Sequence, residues 1–195
     1  MRAAGRRAVA AFDRRVDTAT DALRGRPGWD RVFYTASALG DHGLIWLILA
    51  ALRGLRSDRH LRAALRAAGG VGIESAIVNL GIKSLFRRVR PAWSGQPAHR
   101  LRRPRTSSFP SGHATSAFCA AALLSEDDPL APLYYVTAAV VAYSRVYVKV
   151  HHASDVAAGV VVGALLGRVF RRAVPLRPIR EFPGDEERFG AHGHH

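Results

Sequence analysis

A guanidinium, an imidazole and a carboxylate fall close together in an otherwise apolar part of this chain. Residues 144–155 read Ser-Arg-Val-Tyr-Val-Lys-Val-His-His-Ala-Ser-Asp, between one apolar run over residues 134–143 and another over 156–166. If helix resumes near His151, then His151 and Asp155 share a face. A carboxylate there can hold one ring nitrogen and leave the other free to act. That is the base-and-orienter part of a catalytic triad, with the imidazole itself available as nucleophile. Taken alone, the stretch reads equally well as a capped helix start with a local His/Asp pair.

Two further stretches extend the inventory. Residues 83–91 read Lys-Ser-Leu-Phe-Arg-Arg-Val-Arg-Pro, with an ammonium and the Arg90 fork at the end of an apolar segment. Residues 109–113 read Phe-Pro-Ser-Gly-His and precede a small-residue apolar run over 114–124. A Ser-Gly pair at a helix N-terminus offers N–H groups and a hydroxyl to an anion, and the helix dipole has the favourable sign. Lys83, Arg90 and Arg145 as cations, a nest at Ser111 and Gly112, and two histidines are suited to transferring a phosphoryl group.

These residues carry a resemblance. Lys83, Arg90 and Pro91 (Lys-x6-Arg-Pro), Pro110 to His113 (Pro-Ser-Gly-His), and Ser144, Arg145, His151 and Asp155 (Ser-Arg-x5-His-x3-Asp) are similar in order and spacing to the three motifs of the type 2 phosphatidic acid phosphatase superfamily. The likeness covers residues 83–155 and scarcely reaches the N-terminal third or the C-terminal tail. It implies His151 as the nucleophile that forms a phosphohistidine, Asp155 as its orienting partner and His113 as the acid for the leaving group. It further implies Lys83, Arg90, Ser111, Gly112 and Arg145 as phosphate-binding residues, no metal and no cofactor. The implied substrate is a lipid phosphate or diphosphate, of the phosphatidic acid or polyprenyl phosphate type. Two alternatives stay open. One is a vanadate-dependent haloperoxidase, which shares these residues. The other is an inactive membrane protein that binds anionic lipid; it would carry a broken nucleophile or acid position, whereas His113, His151 and Asp155 are all present.

Composition bounds these readings. The chain has 195 residues, Lys+Arg 29 against Asp+Glu 15 and a formal charge of +14, which suits phosphate-bearing partners. Lys83 and Lys149 are its lysines, all other basic side chains of that pair of types being arginines, so a compact ammonium is specifically wanted at position 83. Nucleic acid is disfavoured as a partner, because aromatic interleaving in the basic loop is limited to Trp93. The single cysteine, Cys119, lies inside an apolar segment and reads as a small core residue. A mean hydropathy of −0.01 sits awkwardly with a membrane protein, and polar ends explain it.

The elements that must position these groups are all helical. Residues 1–26 read as an amphipathic basic helix with Val9, Phe12, Val16, Ala19 and Leu23 as its apolar stripe, and not as a signal peptide. Residues 27–172 read as the catalytic bundle, and residues 173–195, with His192, His194 and His195, as a disordered basic tail. No strand pattern appears. Apolar segments centred on Ile48, Ser75, Ala120, Ala139 and Val162 predict an all-α, membrane-embedded bundle of about five hydrophobic helices plus the N-terminal one.

Residues 53–66 read as an arginine-rich connection, 83–109 as an irregular stretch over the site, and 125–129 as a capped acidic loop. Glu74 reads as structural, His152 likewise, and Lys149 as a rim contact. Gly159, Gly163 and Gly167 repeat every four residues and predict close helix pairing. If each segment crosses once, the three motifs meet on one face, and the arginines at 53–66 and 168–180 fall on the other. That places the site on the outside of a bacterial plasma membrane. The arginine-rich N-terminus argues the other way unless it lies flat or crosses.

Overall fold

The computed structural model describes residues 3–92 and 106–176. The expectations for Trp93 and the rest of the 93–105 stretch, and for the tail from residue 177 onward, lie outside the described residues. Among those described, the fold is all helical: α1 (Ala3–Asp21), α2 (Pro27–Leu39), α3 (Leu44–Gly54), α4 (Asp58–Ala76), α5 (Gly112–Leu124), α6 (Ala131–Tyr147) and α7 (Ala153–Ala173). After α4 the chain tightens through a π turn, Ile77–Gly81, and a 3-10 turn, Ile82–Leu85.

The helix starts follow local chemistry. Pro27 and Pro132 occupy first-turn positions of α2 and α6, where a missing N–H costs nothing. Ser57 caps α4 by accepting from the His60 N–H, with Asp58 in the first turn. This cap starts α4 well before residue 67, so most of the expected 53–66 connection is helix.

Two of its arginines, Arg53 and Arg66, are buried, whereas Arg56, Arg59 and Arg62 are exposed. Arg53, 2% exposed, forms an ion pair with Asp128, Nε lying 3.1 Å from Oδ2, and donates its other nitrogens to the Leu124 and Glu126 carbonyls at 2.6 and 2.7 Å. Arg66 reaches Glu126 Oε2 at 2.5 Å and the Leu123 carbonyl at 3.1 Å. The acidic loop after α5 is therefore an ion-pair hub, because buried guanidinium groups from α3 and α4 need fixed anions and carbonyls.

α5 is the central helix. Ala114, Ala117, Cys119, Ala120, Ala121, Leu123 and Leu124 are buried, and α4, α6 and α7 pack around them. Small side chains let three neighbours approach a single helix. The closest approach is α5 on α7, along the predicted glycine stripe. A Cβ on Gly159 would lie 2.6 Å from the Ser111 carbonyl oxygen, one on Gly163 2.2 Å from that of Thr115, and one on Gly167 2.6 Å from the Ala122 Cβ.

α1 differs from the expected amphipathic pattern. Asp13 and Thr20 are its buried residues, flanked by the part-buried Val9, Val16 and Leu23, while Phe12 and Ala19 are exposed. The inward seam thus carries polar groups, for reasons that appear at the site.

The outer faces of α3, α4, α6 and α7 are apolar, with Leu47, Leu52, Leu65, Val136, Val161 and Leu165 each 47% exposed or more. By length and composition α7 can cross a bilayer, and α2 joined to Asp41–Gly54 forms a second, broken apolar unit bent by 68°. The break follows from left-handed backbone at His42 (φ 54°) and Gly43 (φ 70°). Segment lengths alone therefore give fewer crossings than the five hydrophobic segments read from the sequence.

Candidate active site

The C-terminal ends of α4 and α6 and the N-terminal ends of α5 and α7 meet at one end of the bundle, beside the α2–α3 break. They enclose a cavity of about 620 Å³, lined by Lys83, Arg90, Gly112, His113, Arg145 and His151 among others. Asp155 and Ser111 do not line it; they stand behind its wall.

His151 lies just before α7 rather than within it, because the helix begins at Ala153. Its backbone is pinned to the end of α6: the N–H groups of Val150 and His151 both donate to the Arg145 carbonyl at 3.1 Å. Lys149 takes up a positive φ of 53° in this turn. His151 Nε2 lies 3.1 Å from Arg90 Nη1. A guanidinium only donates, so Nε2 carries the lone pair and the ring proton sits on Nδ1. Nδ1 is 3.7 Å from Asp155 Oδ2, beyond direct hydrogen bonding.

Ser108 fills the gap. Its hydroxyl donates to Asp155 Oδ2 at 2.5 Å and lies 3.4 Å from Nδ1, so imidazole, hydroxyl and carboxylate form a chain. Burial pushes the His151 imidazole down to about 3, a shift that Asp155 opposes and that Arg145 and Arg90 reinforce. The ring is therefore neutral, with Nε2 available as a nucleophile.

Asp155 is held on both oxygens. Oδ2 also accepts from the His152 N–H at 2.9 Å, and Oδ1 accepts from Arg88 Nη1 at 2.7 Å. The His152 contact is through the main chain; its ring Nε2 lies 3.3 Å from the Val89 carbonyl oxygen. Lys149 does not reach the cavity; its Nζ faces Asp21 and Asp17 of α1, at 3.4 and 3.7 Å.

The cations come from three elements. Lys83 Nζ donates to Asn79 Oδ1 at 2.8 Å, one turn earlier. Burial pushes its ammonium down to about 8, Arg90 and Arg145 adding to the shift and Glu74 opposing it. The Nζ would lie 3.3 Å from a Cβ on residue 112, so glycine there lets the ammonium sit over the start of α5. Arg90 also donates to the Val150 carbonyl at 2.9 Å, and the buried Arg145 donates to Ser37 Oγ. Ser111 departs from the expected nest: its N–H donates to the Asp155 carbonyl at 3.0 Å and its hydroxyl caps Ala114, leaving Gly112 at the cavity wall.

His113 stands in the first turn of α5 with Nε2 3.0 Å from Asp41 Oδ1, although the approach lacks the alignment of a hydrogen bond. Gly40 makes room for it, since a Cβ there would fall 2.6 Å from His113 Cδ2. Glu74 is fully buried and accepts from Ser116 Oγ at 2.6 Å. Past the cations the cavity continues between α3 and α4, where Ser75, Asn79 and Ser116 give way to Leu47, Ala68 and Val71. Sequence reasoning missed Ser108, Arg88, Asn79 and Asp41. Ser108, Arg88 and Asn79 had a signal, standing within a few residues of a motif; Asp41 had none.

Comparison with known proteins follows the same outline. A model of the PAP2 superfamily matches residues 63–178. The decaprenylphosphoryl-5-phosphoribose phosphatase of Mycobacterium tuberculosis is 41% identical over 150 residues, covering 76% of this chain and 82% of that protein. The protein of the same name from Mycolicibacterium smegmatis is 36% identical over 139 residues, 71% of this chain and 75% of that one. Among solved structures, the transmembrane PAP2 type phosphatidylglycerolphosphate phosphatase of Bacillus subtilis superposes with a TM-score of 0.63 at 24% identity, over 85% of this chain and 86% of that one. LpxE of Aquifex aeolicus gives 0.62 at 24% identity, over 81% and 93%.

Proposed function

This chain belongs to the PAP2 superfamily, and from that premise we propose that it is a membrane phosphatase that hydrolyses a lipid phosphate through a phosphohistidine. The observation that carries the reading is the convergence of Lys83, Arg90, Arg145, His113 and His151 on one cavity. His151 Nε2 attacks phosphorus as the bond to the ester oxygen breaks, and His113 gives its proton to the departing alkoxide. Water, deprotonated by His113, then attacks the phosphohistidine; the N–P bond breaks and inorganic phosphate leaves. Charge on the equatorial oxygens is met by Lys83, Arg90, Arg145 and the start of α5, whose donors are fixed before substrate arrives. Arg90 transfers its Nη1 bond from His151 to the phosphoryl group as substrate enters.

The relatives' names direct the substrate toward a polyprenyl-linked sugar phosphate. The cavity supports this: serine and asparagine next to the cations suit a hydroxylated headgroup, and the apolar arm beyond them suits a hydrocarbon chain. The apolar outer faces support placement in a bilayer. Arginines at the far end, Arg56, Arg59 and Arg168 among them, favour that end as cytoplasmic in a bacterial plasma membrane, with the site facing outward.

The test is phosphate release by detergent-solubilised protein in chelator, with a polyprenyl-phosphoryl phosphoribose, phosphatidic acid and a water-soluble monoester as substrates, beside His151→Ala. Chelator-resistant release that is lost in His151→Ala and favours the polyprenyl substrate is the expected result. Release that survives in His151→Ala overturns the assigned nucleophile, and no release from folded protein on any substrate overturns the enzymatic reading.

A further inference from the structure

The first 26 residues contain three acidic side chains, Asp13, Asp17 and Asp21, spaced four apart on one face of α1. All three turn to the part of the molecule that carries His151. Asp21 and Asp17 face Lys149 and Arg24. Arg24 in turn donates to the Val146 and Tyr147 carbonyls at 2.8 Å, and Thr20 Oγ1 lies 3.0 Å from Tyr143 Oη.

Asp13 is the member nearest the site and the most enclosed, 8% exposed on a helix that is mostly open to its surroundings. One oxygen accepts from the Ser154 N–H at 2.8 Å. The other accepts from Ser154 Oγ at 3.0 Å and from Arg88 Nη2 at 2.6 Å. Arg88 Nη1 then donates to Asp155 Oδ1 at 2.7 Å and to Ser154 Oγ at 2.8 Å.

We propose that α1 is a working part of the active site, with Asp13 as a positioning residue that orients the nucleophile His151 through Arg88 and Asp155. The inference rests on the phosphohistidine reading above and adds to it an element outside the family-matched residues 63–178. Neither Asp13 nor Arg88 lines the cavity, so neither can touch the phosphoryl group. Their effect runs through geometry. The planar guanidinium bridges two carboxylates, and with both ends fixed it has one orientation. Asp155 then has Arg88 on Oδ1 and Ser108 and the His152 N–H on Oδ2, which fixes the carboxylate and hence the Ser108 bridge to Nδ1. Without Asp13, Arg88 loses one of its two anions and is free to turn, and the chain behind His151 loosens.

A double-mutant cycle with Asp13→Asn and Arg88→Ala tests this, read as kcat and KM and, separately, as the rate at which diethyl pyrocarbonate modifies His151, followed by mass spectrometry. Asp13→Asn keeps the shape and removes the charge. It is expected to lower kcat by about 10- to 100-fold, the cost of a misplaced reacting group, with KM within about threefold of wild type. In the Arg88→Ala background the same change is expected to cost less than about threefold, because residues acting through one another are not additive. His151 is expected to be modified faster in both single variants.

A purely structural Asp13, holding the start of α7 through Ser154, gives an equal loss in both backgrounds, and that result overturns the proposal. So does unchanged His151 modification in Asp13→Asn, a readout that needs no turnover. Wild type beside His151→Ala tests the phosphatase reading separately, so the two can fail independently.

Discussion

Gly163→Ala probes how closely α5 and α7 must meet. The added Cβ would lie 2.2 Å from the Thr115 carbonyl oxygen and 3.0 Å from its carbonyl carbon and Cα. Relief of that overlap requires the helices to part by about 1 Å, since non-bonded heavy atoms settle near 3.5 Å. The atoms struck are backbone, so no side-chain rotamer can absorb the strain. Overpacking costs about 1–3 kcal/mol, and this site belongs at the upper end. Alanine returns about 1 kcal/mol of helix propensity.

The net loss of about 2 kcal/mol lowers Tm by about 4–8 °C for a chain of this size. Function is expected to suffer more. Thr115 lies two residues beyond His113 and Gly163 eight beyond Asp155, so parting the helices separates His113 from His151, the proposed acid and nucleophile. A displacement of that size costs about 100-fold in kcat. Gly69→Ala is the control: it sits on α4 with nothing within 4 Å of its added Cβ and is expected to keep or slightly raise Tm with kcat unchanged. Melting curves and phosphate release on the purified variants decide the matter. A Gly163→Ala protein that melts and turns over like wild type refutes the stripe as the closest contact of the two helices.

Three further outcomes follow from the site and the far end of the bundle. Lys83 is charged below its depressed value of about 8 and neutral above it, so kcat/KM is expected to fall as pH rises through that region, and Lys83→Arg, which stays charged, is expected to lose this alkaline limb even with a lower plateau. Gly40→Ala brings a Cβ to 2.6 Å from His113 Cδ2 and displaces the acid; kcat is expected to drop about 10- to 100-fold on an alkyl phosphate and far less on an aryl phosphate whose leaving group needs no proton. Arg53→Ala strips the buried Asp128 of one partner and is expected to cost about 3 kcal/mol by chemical denaturation, with the kcat of the folded protein unchanged because the pair lies at the end away from the cavity.

The family, the all-helical class and the motif residues among the cavity lining, Lys83, Arg90, Gly112, His113, Arg145 and His151, were legible because phosphoryl transfer needs particular side-chain types at particular spacings, and those survive as motifs. The supporting chemistry was harder to read. Spacing picks out Arg90, but Arg87 and Arg88 are alike by type and position, and only the fold shows that Arg88 holds Asp155. Ser108 looks like loop composition until it is seen between Nδ1 and Oδ2.

The arginines before residue 67 read as a connection, whereas Arg53 and Arg66 are buried on helices and find their partners in a loop more than 50 residues later. In α1 the apolar periodicity drew attention to Phe12 and Ala19, and the aspartates four apart, which meet the basic groups around residues 88 and 149, were overlooked. Apart from Asn79, one turn before Lys83, each miss is a pairing between distant segments, which periodicity in one window does not encode.

The seam between α1 and the His151 turn also sets an order of manufacture. Asp13 and Ser154 are 141 residues apart, and at roughly 5–20 residues per second the ribosome needs on the order of ten seconds to bring the second into existence after the first. Through that interval α1 waits without the turn it grips, and closing so long a loop is entropically slow. Lys83, Arg90 and His113 are already translated, but His151, the proposed nucleophile, is not. The first helix to leave the ribosome is thus among the last to gain its partner.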